Sequence, residues 1–217
     1  RGMSMAEPEQ LEIREVRRRD YREIISAIAE TWGYYKRHKN PVTARLVARA
    51  YWYGALLDHT FSAAAIWDGQ CAGVLLGRCD AQLPKHQGSL RKYRRRALLL
   101  RILLSLSAEV RDSSAGSERI EQADQKMLED LRRRFDGELV FFVLRREYRR
   151  RGIGSALLNS FLEYMRANHC RSFYVFTDES CDFPFYDKRG FTRVGDEAVQ
   201  LPDRAAPSHF YLYQYTI

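Results

Sequence analysis

The chain has 217 residues, of which 45% are hydrophobic and 29% charged, and a formal net charge of +8. That length and composition suit one soluble globular domain and exclude a disordered, fibrous or channel-forming chain. The best candidate for a membrane span, residues 97–108, is broken by Arg101 and falls short of the roughly 18 apolar residues a span requires.

Residues 1–10 read as a disordered or cloning-derived terminus, because Arg1-Gly2 precedes Met3 and no secretory apolar core follows. A cytoplasmic protein is expected. Cys71, Cys79, Cys170 and Cys181 form no C-x-x-C pair and have no histidine at ligand spacing, so inert thiols are expected rather than a zinc site or a disulfide framework. The five histidines show no triad or ligand spacing either. The positive charge is local: residues 85–111 hold eight Lys or Arg against Glu109, a net +7, and residues 145–151 hold five Arg against Glu147, a net +4. The remainder of the chain is acidic at −3, so each basic segment needs its own explanation.

In chain order, Leu11, Ile13 and Val16 open a short strand that stops at Arg17-Arg18-Arg19. Asp20 and Glu23 have the spacing of a capping box for a helix carrying Ile24, Ile25 and Ile28. A second helix starts near Pro41 or Thr43 and continues through Leu46, Val47, Ala50 and Leu57. Residues 61–67 and 70–77 form a hairpin around Asp68-Gly69. Two helices, 89–110 and 118–135, are then separated by a small polar linker at 112–117. They read as a helical hairpin inserted at about residues 79–137 of a domain that spans 11–217. The unbroken apolar run 139–144 suits a central strand. After Gly152 a helix places Ile153, Ala156, Leu157, Phe161, Leu162 and Met165 on one face. A strand at 171–178, a short helix at 184–188, and strands at 191–194 and 210–216 complete an α/β sandwich with a mixed sheet.

The chemistry concentrates where the central strand meets the next helix, at Arg145, Arg146, Glu147, Tyr148, Arg149, Arg150, Arg151, Gly152, Ile153 and Gly154. Glycines at such a turn let the backbone approach a ligand, and the N–H groups of the helix start then face an anion. Cations at a helix N-terminus oppose its dipole by ~0.3–1 kcal/mol each. An arginine cluster in that place therefore points to a bound phosphate rather than to a solvated patch. A dinucleotide fingerprint would need glycine at Leu157, and no G-x-x-x-x-G-K-[ST] occurs.

Arg149-x-x-Gly152-x-Gly154, after an apolar strand and before Ser155-Ala156-Leu157-Leu158, closely resembles the [QR]-x-x-G-x-[GA] acetyl-CoA motif of the GNAT N-acetyltransferase superfamily. Phe185-Tyr186-Asp187-Lys188-Arg189-Gly190-Phe191 is similar to that family's second landmark. The resemblance implies a mostly antiparallel mixed sheet flanked by helices, with backbone N–H groups of Arg149, Arg150, Arg151, Gly152, Ile153 and Gly154 on the coenzyme A pyrophosphate. It further implies a pantetheine arm along Phe142, Val143 and Leu144, beside a neighbouring strand at 171–178 that splays away. Where the family often has an asparagine, seven residues before Tyr186, this chain has Glu179, with Ser180 and Asp182 as the replacements at hand.

Amine acetylation needs a neutral nucleophile, and a lysine-like amine with pKa ~10.4 is protonated at pH 7. In the family a glutamate fourteen residues before the first motif glycine, here Glu138, acts as general base; the other reading is a strand-end carboxylate after a turn. Tyr186 would protonate the departing thiolate, a transfer uphill by only about 2 kcal/mol, and a backbone N–H near Phe142 would hold the oxyanion. No metal is required. Trp32, Tyr34 and Tyr35, near Tyr51, Trp52 and Tyr53, are either core aromatics or the acceptor-binding wall.

The basic, leucine-rich helix of the insertion, from Arg91 through Leu104, has three readings. It packs on the second inserted helix, it lines a homodimer interface or covers the acceptor site, or it lies on an anionic membrane surface. Its seven apolar residues between Leu98 and Leu106 call for a covering surface. Nucleic acid is disfavoured because no recognition motif accompanies the charge. The expected function is acetyl transfer from acetyl-CoA to a primary amine of a small molecule or peptide, within a ternary complex. The alternative is a module that binds acyl-CoA without turnover, or one whose basic helix contacts membrane or nucleic acid.

Overall fold

The computed structural model describes residues 11–202 and 204–217; the terminus expected at residues 1–10 lies outside them. Among the described residues seven strands, β1 (Leu11–Arg14), β2 (Phe61–Trp67), β3 (Gln70–Cys79), β4 (Gly137–Leu144), β5 (Ser172–Asp178), β6 (Thr192–Val199) and β7 (Ser208–Thr216), form one sheet in the order β1-β2-β3-β4-β5-β7-β6. The helices are α1 (Tyr21–Thr31), α2 (Tyr34–Arg37), α3 (Pro41–Ala55), α4 (Leu83–Ser105), α5 (Ala108–Asp130), α6 (Ile153–Ala167) and α7 (Pro184–Lys188). Each neighbouring pair of strands is antiparallel except β4 and β5, which are parallel. This is the mixed, mostly antiparallel sheet that the sequence calls for.

The two faces of the sheet are filled by different helices. Ala63, Ala65, Ala72 and Leu75 point to α6 and pack with Ile153, Leu157, Phe161 and Met165. The alternate residues Ala64, Ile66, Val74 and Leu76 pack against Ile24, Ile28, Ala44, Ala48 and Trp52 of α1 and α3. On that same face α5 lays Ala123 and Met127 over Phe210 and Leu212 of β7. The β2–β3 hairpin turns at Asp68 and Gly69, both at positive φ, as a two-residue turn of that hand requires.

Local signals held in part. Asn40 caps α3 by accepting the Val42 N–H at 2.9 Å, with Pro41 in the first turn. The expected Asp20–Glu23 capping box does not form. The Asp20 carboxylate instead takes both guanidinium nitrogens of Arg14 at 2.8 Å and the Arg17 N–H at 2.7 Å. Burial alone would raise the Asp20 pKa, but these donors outweigh it and hold the carboxyl below its usual range. Glu23 reaches across to the Cys71 N–H at 2.5 Å, fastening α1 to β3.

The insertion also differs from expectation. Helix α4 ends at Ser105 and α5 starts at Ala108, so the break falls at Leu106-Ser107 and the polar stretch 112–117 is helical. Small polar residues such as Ser113 and Ser114 weaken a helix only by tenths of a kcal/mol each, about 0.5 relative to alanine, and do not end one. Helix α4 packs chiefly on α3, not on its sequence partner, through Tyr93, Ala97 and Leu100. The opposite side of α4 is uncovered: Leu98 and Leu99 are each 60% exposed and Leu106 76%. Among the described residues, no helix is long and apolar enough to cross a membrane.

One close approach fixes α6 against the sheet. A Cβ built on Gly77 would stand 2.0 Å from the Phe161 ring. Gly77→Ala is therefore expected to cost about 1–3 kcal/mol in urea unfolding, and Phe161→Leu in the same chain should recover part of it. A cost under about 0.5 kcal/mol would contradict this packing.

Candidate active site

Strands β4 and β5 touch at one end and part at the other. Asp136, just before β4, donates its N–H to the Ser172 carbonyl at 2.9 Å and accepts the N–H groups of Arg171 and Ser172 at 2.6 and 3.1 Å. The pair Glu138 and Tyr174 is then the single point of parallel register. Beyond it β4 follows β3 as far as Leu144, while β5 follows β7 as far as Asp178, and an opening widens between them.

A bulge aims the backbone of β4 into that opening. Leu76 pairs with Phe141 and Gly77 with Leu139, which leaves Val140 as the extra residue. The Arg145 N–H donates to the Ala72 carbonyl at 2.9 Å, so by antiparallel alternation the N–H and C=O of Leu144 and Phe142 point away from β3. Val143 is bonded toward β3 and buries its side chain beside Phe141, so its backbone does not face the opening.

At the end of β4 the chain makes a turn rich in free amides. Arg150 and Gly152 both have positive φ, 64° and 77°, and Gly152 is the N-cap of α6. The Ala156 N–H is the first to bond within the helix, to the Gly152 carbonyl, so the N–H groups of Ile153, Gly154 and Ser155 have no helical partner. A Cβ on Gly152 would meet nothing within 4 Å, so the outside of this turn is open. The arginines are drawn aside: Arg145 pairs with Glu147, the Arg149 Nε meets the Leu144 carbonyl at 3.4 Å, and Arg151 lies over the Trp67 ring. Arg150 is exposed. Backbone amides, more than side-chain charges, thus form the anion-binding surface, and they suit the pyrophosphate of coenzyme A.

Tyr186 stands on α7 next to Phe185, whose ring packs edge-on against Phe142. It is buried among Phe191 and Tyr213, and its hydroxyl has no hydrogen-bond partner among the described residues. Burial raises its pKa, and Cys181 and Asp182 push it further the same way, so the phenol keeps its proton. Glu179 lies 3.5 Å from the Arg204 guanidinium, and Ser180 is turned back onto the Asp178 carboxylate through its N–H and hydroxyl.

On the other face, Glu138 is held by the Arg78 guanidinium at 2.9 Å and accepts the Tyr174 hydroxyl at 3.0 Å. Burial raises its pKa, opposed by both partners. Trp32 stacks on Phe141 at 5.7 Å, and Tyr51 meets both rings. Tyr34 is buried beside them, whereas Tyr35 is 39% exposed and makes no ring contact among the described residues. Of the expected aromatic wall, Trp32 therefore reaches β4, Tyr34 is buried in the same core cluster, and Tyr35 is exposed. Three groups were not singled out from sequence: Arg78, Asp178 and Asp124. The signal for Asp124 is its position, a carboxylate on the apolar stripe of Ile120, Ala123, Met127 and Leu131. A separate groove lined by Asn159, Glu163, Arg166 and Lys188 contains none of these residues.

No curated protein matches the chain in sequence. Solved structures share its fold at low identity. The PaiA N-acetyltransferase of Thermoplasma acidophilum, in complex with coenzyme A, is 14% identical with a TM-score of 0.53, covering 96% of this chain and 99% of its own. Ard1 of Thermoplasma volcanium is 16% identical with a TM-score of 0.53, covering 95% and 97%. A GCN5-related N-acetyltransferase of Kribbella flavida is 12% identical with a TM-score of 0.54, covering 95% and 98%. The sequence itself matches the acetyltransferase (GNAT) family over residues 21–191, which include the splayed strands, the amide-rich turn and Tyr186. The chain belongs to that family and is an acyltransferase.

Proposed function

We propose that the protein moves an acetyl group from acetyl-CoA to a primary amine by direct attack within a ternary complex. The observation that carries this reading is the parting of β4 from β5 directly beside the free amides of Ile153, Gly154 and Ser155. An extended thioester needs both features together: an anion site for its pyrophosphate, and unpaired strand groups for its amide-bearing arm.

In this reading the pyrophosphate takes the amides of the turn at 149–154, and the pantetheine amides pair with the inward N–H and C=O groups of Phe142 and the N–H of Leu144, whose carbonyl already accepts the Arg149 Nε. A Phe142 N–H aimed at the thioester oxygen would stabilise the tetrahedral oxyanion as a preorganised donor. Tyr186, kept protonated by burial, gives its proton to the leaving thiolate. The amine enters from the face bearing Trp32, Tyr34 and Tyr51. Glu138 is less free to act as base than its position alone implies, because accepting a proton would weaken its bonds to Arg78 and Tyr174.

Two outcomes follow from this assignment. Gly152→Val forces a β-branched residue into positive φ at the anion turn and should weaken acetyl-CoA binding by about tenfold or more in calorimetry. Arg150→Ala should change it by less than about threefold; the reverse order would mean that side-chain charge, not backbone, holds the anion. Tyr186→Phe should lower kcat by about a hundredfold while the acetyl-CoA affinity stays put. A Tyr186→Phe enzyme with unchanged kcat would remove the tyrosine from the proton path.

A further inference from the structure

The carboxylate of Asp124 is in an unusual position. It projects from α5, inside the insertion, on the stripe that packs against β5 and β7. Its Oδ1 is fully buried and has no hydrogen-bond partner among the described residues. A buried acceptor without a donor is costly, about 1–3 kcal/mol and more when charged. Such a group is retained where something else supplies the proton or the positive charge.

Its neighbours indicate what that is. Glu138 on β4, Asp178 on β5 and Glu121 on α5 are all within electrostatic reach, and each repels a negative charge there. Tyr51 on α3 is likewise within electrostatic reach of Asp124 and Asp178. Arg78 is already bound to Glu138 and Asp80, and Asp178 to Ser180 and Cys181. On the sides toward β6 and the loop after it, Lys126 pairs with Glu197 and Arg119 meets the Gln200 carbonyl, both at exposed positions. The surroundings of Asp124 are thus acidic and aromatic, and it lies on the α3 and α5 side of the sheet, with Glu138 and Asp178 of the two parting strands within electrostatic reach of its unpaired carboxylate.

We propose that Asp124 receives the ammonium of the acceptor and takes its proton, and that the acceptor is a cationic amine with no carboxylate beside the reacting nitrogen. This rests on the acetyl-transfer reading above. In the step, one proton passes from R–NH3⁺ to the Asp124 carboxylate, and the nitrogen lone pair of R–NH2 forms a bond to the thioester carbonyl carbon. As the C–S bond breaks, the sulfur leaves as a thiolate and takes a proton by way of Tyr186. The proton lost by the acylated nitrogen makes good the one Tyr186 gave, and Asp124 releases its own to solvent. Burial first, then Glu138, Asp178 and Glu121, push the Asp124 carboxyl up to about 7, which suits a group that must accept and return a proton near neutrality. An acceptor carrying its own carboxylate would add a further negative charge to this acidic pocket.

The test compares matched amines that differ by one carboxylate: tyramine against tyrosine, and 2-phenylethylamine against phenylalanine. The wild-type protein should prefer the member without the carboxylate by about tenfold or more in kcat/KM. Asp124→Asn should lower kcat/KM about a hundredfold at pH 7 and abolish an ionisation near 7 in its pH profile, with acetyl-CoA binding unchanged by calorimetry. Asp124→Glu should recover part of the loss, and Glu138→Gln should keep the ionisation. A second readout needs no turnover. Because the folded-state pKa lies above the unfolded one, stability linked to Asp124 is present at low pH and lost as pH rises through about 7. Asp124→Asn should therefore flatten the fall in Tm between about pH 4 and pH 7. The proposal is overturned if Asp124→Asn matches wild type in pH profile, if the ionisation disappears in Glu138→Gln instead, or if tyrosine and phenylalanine are used as well as their partners. It is overturned too if the wild-type protein binds acetyl-CoA but acetylates none of the four amines. Failure to bind acetyl-CoA at all would instead overturn the acetyl-transfer reading.

Discussion

Two parallel strands held together at one end and free at the other are the constraint on which the site depends. The Asp136 carboxylate and the Glu138–Tyr174 pair close one end of β4 and β5, and each strand then follows its antiparallel neighbour outward. Divergence leaves the inward groups of Phe142 and Leu144 without a strand partner. Buried backbone groups left unsatisfied cost about 1–3 kcal/mol each, so the opening is stable only where solvent or a ligand with its own amides can reach it. The same crossover that makes β4 and β5 parallel puts the N-terminus of α6 at the wide end, where its free amides add an anion site to the polar edge.

The sheet separates two kinds of chemistry that meet at this opening. On the α6 and α7 side lie the amide-rich turn, Phe185 against Phe142, and the protonated Tyr186. On the α3 and α5 side lie the aromatic rings of Trp32 and Tyr51 and a set of carboxylates, of which Glu138 is ion-paired and Asp124 is not. A negatively charged co-substrate thus meets amides, and a positively charged one meets acids. The bulge at Val140 matters to both, because it turns Phe141 toward the amine face while Phe142 remains on the other.

Much of this was legible in sequence because the determinants are local. Asp68-Gly69 specifies its hairpin, Pro41 its helix start, and Gly152-x-Gly154 its turn, each through backbone conformations that few residues tolerate. What was not legible depends on distant partners. Asp20 and Glu23 have capping-box spacing, but Arg14 and the Cys71 amide compete for them and win, the first through a bidentate ion pair. The polar stretch 112–117 resembles a linker, yet helix continues through it and the break falls six residues earlier. The leucines of α4 signal a covering surface; α3 takes only one side, and Leu98, Leu99, Ile102, Leu103 and Leu106 stay exposed. Asp124 was overlooked because a single carboxylate on an apolar helical stripe acquires meaning only when the elements around it are known.

The central claim is that acetyl-CoA lies against the inward edge of β4 and the first turn of α6. Residue-resolved amide hydrogen exchange with and without acetyl-CoA tests it most directly. Exchange should slow at Phe142, Leu144, Ile153, Gly154 and Ser155, and stay unchanged at Val143 and Arg145, which are already bonded toward β3. Protection confined to α4, or spread over β6 and β7 with none at Phe142 and Gly154, would contradict the account.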